Sequence, residues 1–293
     1  MAELLKGAPV ARAITAECAE RAEKLHNRGI VPTLAIVRVG ENDSDLSYER
    51  GAEKRCREAG VAVRRIHLPG DTDNATYLAR IRELNEDRDV HGILLLMPLP
   101  PHLDESAARK ALLPEKDVDG CTAGSLAGVF MNSGEGFPPC TAQAAVEMLD
   151  YYGVECSGKR AAIAGRSLVF GRPAAMLLMH KNATVTVCHT RTEGMQNVLR
   201  EADIVLIGIG KMESIGKEYF RPGQTVIDIG IHWNEEKQKL CGDVKLEEAE
   251  AVVAAVTPVP GGVGAVTTSV LAKHVVDAAE RLHGINTPKG NHD

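Results

Sequence analysis

Gly165-Arg-Ser-Leu-Val-Phe-Gly171 follows the apolar run Arg160–Ala164 and leads into an amphipathic stretch with Pro173 near its start. A strand that passes through a glycine turn into a helix presents free backbone N–H groups and the positive helix end to an anion, as dinucleotide sites do. The spacing is not Gly-x-Gly-x-x-Gly, so the same residues also fit a plain tight strand-to-helix turn. Pro173 suits either reading, because a proline in the first helical turn gives up no hydrogen bond. A second cluster ends the next apolar run, Ala183-Thr-Val-Thr-Val-Cys-His-Thr-Arg-Thr192. In a Rossmann-like unit this strand end faces the adenosine ribose, and NAD sites often place a carboxylate there. Here His189, Thr190 and Arg191 occupy the place, and the first acid is Glu193. A cation beside hydroxyls suits a 2′-phosphate and points to NADP; a solvated surface arginine is the alternative.

These residues need an α/β framework, and the apolar pattern supplies one. Short apolar runs alternate with helical periodicity along most of the 293 residues, a length that fits two domains. Helices are expected over 10–28, 47–58, 74–86, 142–152, 171–181, 193–201 and 267–283, and strands over 32–39, 61–67, 92–97, 160–164, 183–188, 203–207, 224–229 and 252–256. Pro98-Leu-Pro-Pro101 cannot continue strand or helix and reads as an ordered loop. Residues 114–140 hold several Gly and Pro with little periodicity and read as the connection between domains. The last eight residues read as a frayed tail.

Composition narrows the function classes. Lys and Arg total 34 against 40 Asp and Glu, a net charge of −6, which argues against a nucleic-acid or membrane-surface partner. No apolar run approaches the roughly 20 residues of a membrane span. The N terminus has no basic-then-apolar leader pattern. The seven cysteines are scattered and form no Cys-x-x-Cys, which supports neither a disulfide framework nor a zinc site. The expectation is a reduced, cytoplasmic, metal-free protein.

A set of motifs now falls into one order along the whole chain: Gly40 with Tyr48 eight residues on, Pro98-Leu-Pro100, Lys116-Asp-Val-Asp-Gly120, Pro139-Cys-Thr141, Gly165-Arg-Ser167, Ala183-Thr-Val-Thr186 with Cys188-His189, Asp228-Ile-Gly230, and Thr257-Pro-Val-Pro-Gly-Gly-Val-Gly264. The chain resembles the methylenetetrahydrofolate dehydrogenase/cyclohydrolase family. The resemblance implies a homodimer of two-domain α/β subunits, with a catalytic domain over 1–141, a Rossmann-like NAD(P) domain of mostly parallel sheet over 142–266, a final segment 267–293 packed back on the first domain, and folate in the cleft between the domains. It implies oxidation of 5,10-methylenetetrahydrofolate to the 5,10-methenyl cation by hydride transfer to NADP. In many members, hydrolysis to 10-formyltetrahydrofolate follows. By the same resemblance, Tyr48 packs flat on the folate and Asp119 accepts hydrogen bonds from the pterin N–H edge. Leu96, Pro98, Pro260, Gly261 and Gly262 line the substrate, and Gly165, Arg166, Ser167, His189, Thr190, Arg191 and Ile231 hold the cofactor.

Hydride transfer needs alignment and exclusion of water. Hydrolysis of the methenyl cation needs in addition a polar group to activate water. The family pattern supplies it as Tyr-x-x-x-Lys, with a Gln before the Pro-Leu-Pro loop. Here those positions are Ala52 and Leu96. Lys54 and Arg50 each lie about 200° around a regular helix from position 52. Two lesser departures are Asp45, where the family often has Ser, and Ala265, where it has Pro. An active dehydrogenase with weak or absent cyclohydrolase is expected; the alternative keeps both activities through a shifted, catalytic Lys54.

Overall fold

A computed structural model describes residues 1–285; the expected frayed tail and the end of the 267–293 segment lie outside the described residues. In chain order the elements are β1 (Glu3–Leu4), α1 (Gly7–His26), β2 (Thr33–Val39), α2 (Asp43–Glu58), β3 (Ala62–Leu68), α3 (Asn74–Glu86), β4 (Gly92–Leu95), α4 (Glu105–Ala111), α5 (Ala123–Met131), α6 (Cys140–Tyr151), β5 (Arg160–Ala164), α7 (Gly171–His180), β6 (Thr184–Cys188), α8 (Met195–Glu201), β7 (Ile204–Ile207), β8 (Thr225–Asp228), β9 (His232–Asn234), β10 (Lys239–Cys241), α9 (Leu246–Glu250), β11 (Ala255–Val256) and α10 (Thr267–Leu282). They group into two compact units. One comprises Met1–Ala11 with Thr141–Thr267, and the other Arg12–Cys140 with the chain from Thr268 on.

The first unit carries a six-stranded sheet in the order β1-β11-β8-β7-β5-β6, every pairing parallel. Parallel neighbours require crossovers, and α7 and α8 supply them between β5, β6 and β7. Counting from β5, the strand order is 2-1-3-4-5, which reverses between β5 and β7. Ligands bind doubly wound sheets at such a switch point. The second unit carries a smaller parallel sheet, β3-β2-β4. Its β4 is an edge of that sheet yet is buried along its whole length, as a strand covered by helices should be. Tyr77, Ile81 and Leu84 of α3 pack on it with Leu99, Leu103 and Leu112.

Three sequence expectations change. The first eleven residues belong with the six-stranded unit, not with residues 12–140, because Glu3 and Leu4 pair with Ala255 and Val256 of β11. The strand expected over 252–256 shortens to β11, Ala255–Val256, which lies between β1 and β8, so the edges of the sheet are β1 and β6. Residues 114–140 are not a plain connection. Thr122 caps α5 there, its Oγ1 accepting the Ser125 N–H at 3.1 Å.

Candidate active site

In the three-stranded unit the Lys-Asp-Val-Asp-Gly motif is held at nearly every residue. Lys116 is buried and donates through Nζ to the carbonyls of Leu84 (3.1 Å) and Asp87 (2.6 Å) at the C-terminal end of α3. Asp117 is fully buried, and its carboxylate accepts the N–H groups of Cys121 (3.0 Å) and Thr122 (2.7 Å). Gly120 has φ +69°, and a Cβ there would stand 2.4 Å from the Pro139 nitrogen, so only glycine closes this turn. Asp119 therefore projects from an immobilised loop. Burial, and then the charge of Asp117, raises its pKa to about 6, against the pull of a Cys140 hydrogen bond and of Arg109.

Tyr48 on α2 retains 37% of its surface. Its phenol is nonetheless pushed well above 10, by burial and then by the charges of Asp119, Cys140 and Cys56. The Asp119 carboxylate thus lies near enough for its charge to act on the Tyr48 phenol. Further along α2 the inward face carries Glu49, Ala52 and Cys56. Ala52 is completely buried, whereas Arg50 and Lys54 are exposed. Glu49 is held by buried Arg38, Nε to Oε2 2.9 Å, so the helix register is fixed by a charged pair beside Tyr48. Leu96 is 7% exposed and donates its N–H to the Val37 carbonyl at 3.1 Å. The Met97–Pro98 bond is cis, and Pro98 faces outward.

In the six-stranded unit the turn after β5 stands at the switch point. Gly165 has φ +124°, and a Cβ on it would lie 2.3 Å from the Gly208 oxygen at the end of β7. No side chain can occupy that position, which leaves the crevice open. The Ser167 hydroxyl accepts the Phe170 N–H at 3.2 Å and closes the turn. Arg166 and Ser167 are exposed, as are Thr190 and Arg191 at the end of β6. His189 shapes that end: its Nδ1 accepts the Arg191 N–H at 3.1 Å, while its own N–H donates to Thr192 Oγ1 at 2.9 Å. Ile231 is 60% exposed beside a cavity of about 250 Å³ lined by 228–231 and 258–265, which includes Pro260, Gly261 and Gly262.

Two buried acids organise these loops: Asp228 stands in the Asp228-Ile-Gly230 motif, whereas Asp243 carries no sequence signal of its own. Asp243 is fully buried and accepts N–H from Ile209 (2.7 Å), Gly210 (3.0 Å) and Lys211 (2.8 Å), and from His232 Nε2 (2.8 Å). Asp228 accepts from Gly230 (2.9 Å), Asp243 (3.2 Å) and Val244 (2.9 Å), and burial raises its pKa to about 7. Among the described residues no group of three or more His, Cys, Asp or Glu is placed to hold a metal, and no helix is long and apolar enough to cross a membrane.

A parallel sheet with an open glycine crevice at its switch point, and a second α/β unit bearing a recessed carboxylate and tyrosine, define a dinucleotide-binding enzyme class. The match to known proteins is more specific. Residues 5–119 match the catalytic domain, and residues 139–283 the NAD(P)-binding domain, of tetrahydrofolate dehydrogenase/cyclohydrolase. The chain belongs to that family. It is 48% identical to the bifunctional protein FolD of Carboxydothermus hydrogenoformans, over 97% of this chain and all of that protein. The solved bifunctional FolD of Campylobacter jejuni superposes with a TM-score of 0.92 at 33% identity, covering 96% of this chain and 99% of that one. The FolD enzyme of Trypanosoma brucei, solved with NADP cofactor and an inhibitor, superposes with a TM-score of 0.88 at 33% identity, covering 96% and 98%.

Proposed function

We propose that this protein oxidises 5,10-methylenetetrahydrofolate to the 5,10-methenyl cation with NADP and has lost the hydrolysis that follows in bifunctional relatives. The observation that carries the second half is the pair of buried aliphatic side chains, Ala52 and Leu96, at the positions where hydrolysis needs a lysine and a glutamine. Neither can donate, accept or hold a proton. The unbroken helix Asp43–Glu58 leaves Lys54 on its exposed face, which weighs against a shifted lysine.

The first half needs fewer groups. Tyr48 offers an aromatic face to the planar folate. Asp119, as the anion, accepts from the pterin N–H edge and places negative charge where the substrate becomes a cation. NADP, when bound, accepts the hydride. The glycine crevice and the N–H groups around 165–171 suit its pyrophosphate, and Arg191 with Thr190 suits a 2′-phosphate. Residues 12–140 with α10 would thus form the folate-binding domain and the six-stranded unit the cofactor domain, acting in the cytoplasm. A homodimer fits the edge strand β6, whose Thr184, Thr186 and Val187 are exposed within a row of unpaired backbone groups. Light scattering should give twice the subunit mass; a monomer at micromolar concentration argues against the dimer.

One assay tests the reaction. With methylenetetrahydrofolate and NADP, reduced cofactor and methenyl product should rise together in equal amounts, apart from the spontaneous hydrolysis measured in buffer. Reduced cofactor rising without methenyl product means the hydrolase survives, and neither rising means the substrate reading is wrong.

A further inference from the structure

Behind Asp119 lies a buried cluster that the reading above does not use. His274 of α10 is 4% exposed, and its Nδ1 stands 2.8 Å from the Val118 carbonyl oxygen. A carbonyl only accepts, so Nδ1 carries the proton and donates. Burial lowers the imidazole's pKa and keeps it neutral. The Phe137 ring packs against it at 5.0 Å between centroids, and the Arg281 guanidinium lies 4.4 Å over the Phe137 ring, so the imidazole is fixed in rotation. Cys140, at the start of α6, places its Sγ 3.3 Å from the same carbonyl and 3.8 Å from His274 Nδ1.

A thiol has one proton to give. The thiol donates to the Val118 carbonyl at 3.3 Å, and the carboxylate of the next residue, Asp119, lies near enough for the thiol to lower its pKa. An ionised carboxylate is the stronger acceptor. Turning the thiol onto it would leave a buried carbonyl short of a donor unless another group supplied one. His274 supplies it. We propose that Cys140 and His274 are positioning residues for Asp119: His274 satisfies the Val118 carbonyl, which frees the Cys140 thiol to hold the ionised carboxylate in the orientation that receives the substrate's N–H edge. The proposal rests on the reading of Asp119 as the substrate acceptor.

The groups facing Asp119 are Asp117 on its own loop, Arg109 of α4, Tyr48 of α2, and the thiols of Cys121 and Cys140. Those facing His274 are Lys273, Asp277 and Arg281. Burial raises the tyrosine and both thiols, so none of them loses a proton near neutrality. Asp228, raised to about 7, titrates in the same range as Asp119, so the acid limb is assigned to Asp119 by its loss in Asp119→Asn.

The test is the pH profile of kcat/KM for methylenetetrahydrofolate at saturating NADP, in the full-length protein and four variants. Removing a hydrogen bond to the charged form raises a carboxyl pKa, so activity is lost earlier on acidification. For a rise of about one unit, Cys140→Ala should lower kcat/KM about five-fold near pH 6 and less than about two-fold near pH 8. Cys140→Ser keeps a donor and should restore the parent limb. His274→Leu should shift the limb as Cys140→Ala does, because the thiol is then held by the orphaned carbonyl. A purely structural role would lower activity evenly across pH, and the serine would not rescue the limb. Asp119→Asn separates the two readings. If it abolishes the acid limb while Cys140→Ala leaves the limb in place, the positioning proposal alone is overturned. If Asp119→Asn leaves both kcat/KM and the limb unchanged, the substrate role of Asp119 falls, and the positioning proposal falls with it.

Discussion

Asp243 in the six-stranded unit accepts three backbone N–H groups and the His232 ring, whereas Asp119 in the three-stranded unit accepts no backbone N–H among the described residues. Both sit on loops that their neighbours hold rigid. Asp117, only two residues before Asp119, behaves like Asp243, with its oxygens on the Cys121 and Thr122 amides. A carboxylate saturated by the protein's own amides is scaffold. One that is recessed, raised in pKa and left without them is prepared for donors from a ligand. The contrast extends to the rest of each unit. The cofactor loops are built from backbone groups and glycines that need no particular side chain. The proposed substrate recess is built from side chains, so on the reading proposed above changes at 52 and 96 alone would remove one activity and leave the other.

The largest expected effect follows from cutting the scaffold. Asp243→Ala orphans three N–H groups and the His232 ring, and should destabilise the protein by about 3–5 kcal/mol, read as a lower urea midpoint. The KM for NADP should rise with it; an unchanged midpoint would remove the distinction between the two kinds of carboxylate.

Asp119→Asn should act in the opposite sense on stability. The native carboxyl titrates at about 6, above its ordinary 3.8. Between those values the native state binds more protons than the unfolded chain, so stability falls as pH rises and levels off above the native value. Removing the charge should therefore stabilise the free protein above about pH 7, by about 1–2 kcal/mol after allowance for solvent screening. Activity should fall at least about ten-fold, since the substrate's donors lose a charged partner. A variant that is both less active and less stable at that pH would mark Asp119 as a turn former.

Arg191→Ala has a smaller, more local expectation. Its guanidinium is exposed, so the NADP preference over NAD should narrow by about ten-fold, the low end for a charge-assisted contact. The salt dependence of the NADP KM should weaken in parallel. Equal use of NAD and NADP by the parent would contradict the assignment.

The smallest changes test the substrate recess itself. Ala52→Lys alone should yield little hydrolysis, because a lysine in that fully buried position is desolvated and tends to lose its charge. Leu96→Gln alone should do equally little. The double variant should exceed the sum of the singles, as groups acting as a unit do.

Much of this is legible in the amino-acid sequence. Helix 74–86 and strand 160–164 coincide with α3 and β5 because local signals and burial agree there, Asp73 capping α3 through the Thr76 N–H at 2.9 Å. Helix α2 begins four residues before the expected 47, because Asn42 caps it at Ser44, and a polar run rich in acids reads as loop when it is a first helical turn. Helix α5 was hidden by its two glycines and its lack of a polar face. Strand β1 is two residues long and shows no alternation; only its partner β11 defines it. Within the site, Tyr48 and Asp119 stood out through their motifs, and the solvent-facing register of Lys54 follows from counting along a regular helix. Asp243 and His274 could not be found in this way. Each works through backbone groups contributed by distant parts of its unit, and a single acid after a hairpin or a single histidine in an amphipathic helix carries no local mark of that role.

The central claim is that the hydride-transfer half of the machinery is intact while the water-activating half is gone. The measurement that bears on it most directly is the decay of methenyltetrahydrofolate absorbance, with the unmodified protein and in matched buffer. A rate equal to buffer at enzyme concentrations that give rapid NADP reduction from methylenetetrahydrofolate is the predicted result. Hydrolysis far faster than buffer would contradict the account, and Lys54→Met and Arg50→Met would then identify the side chain responsible.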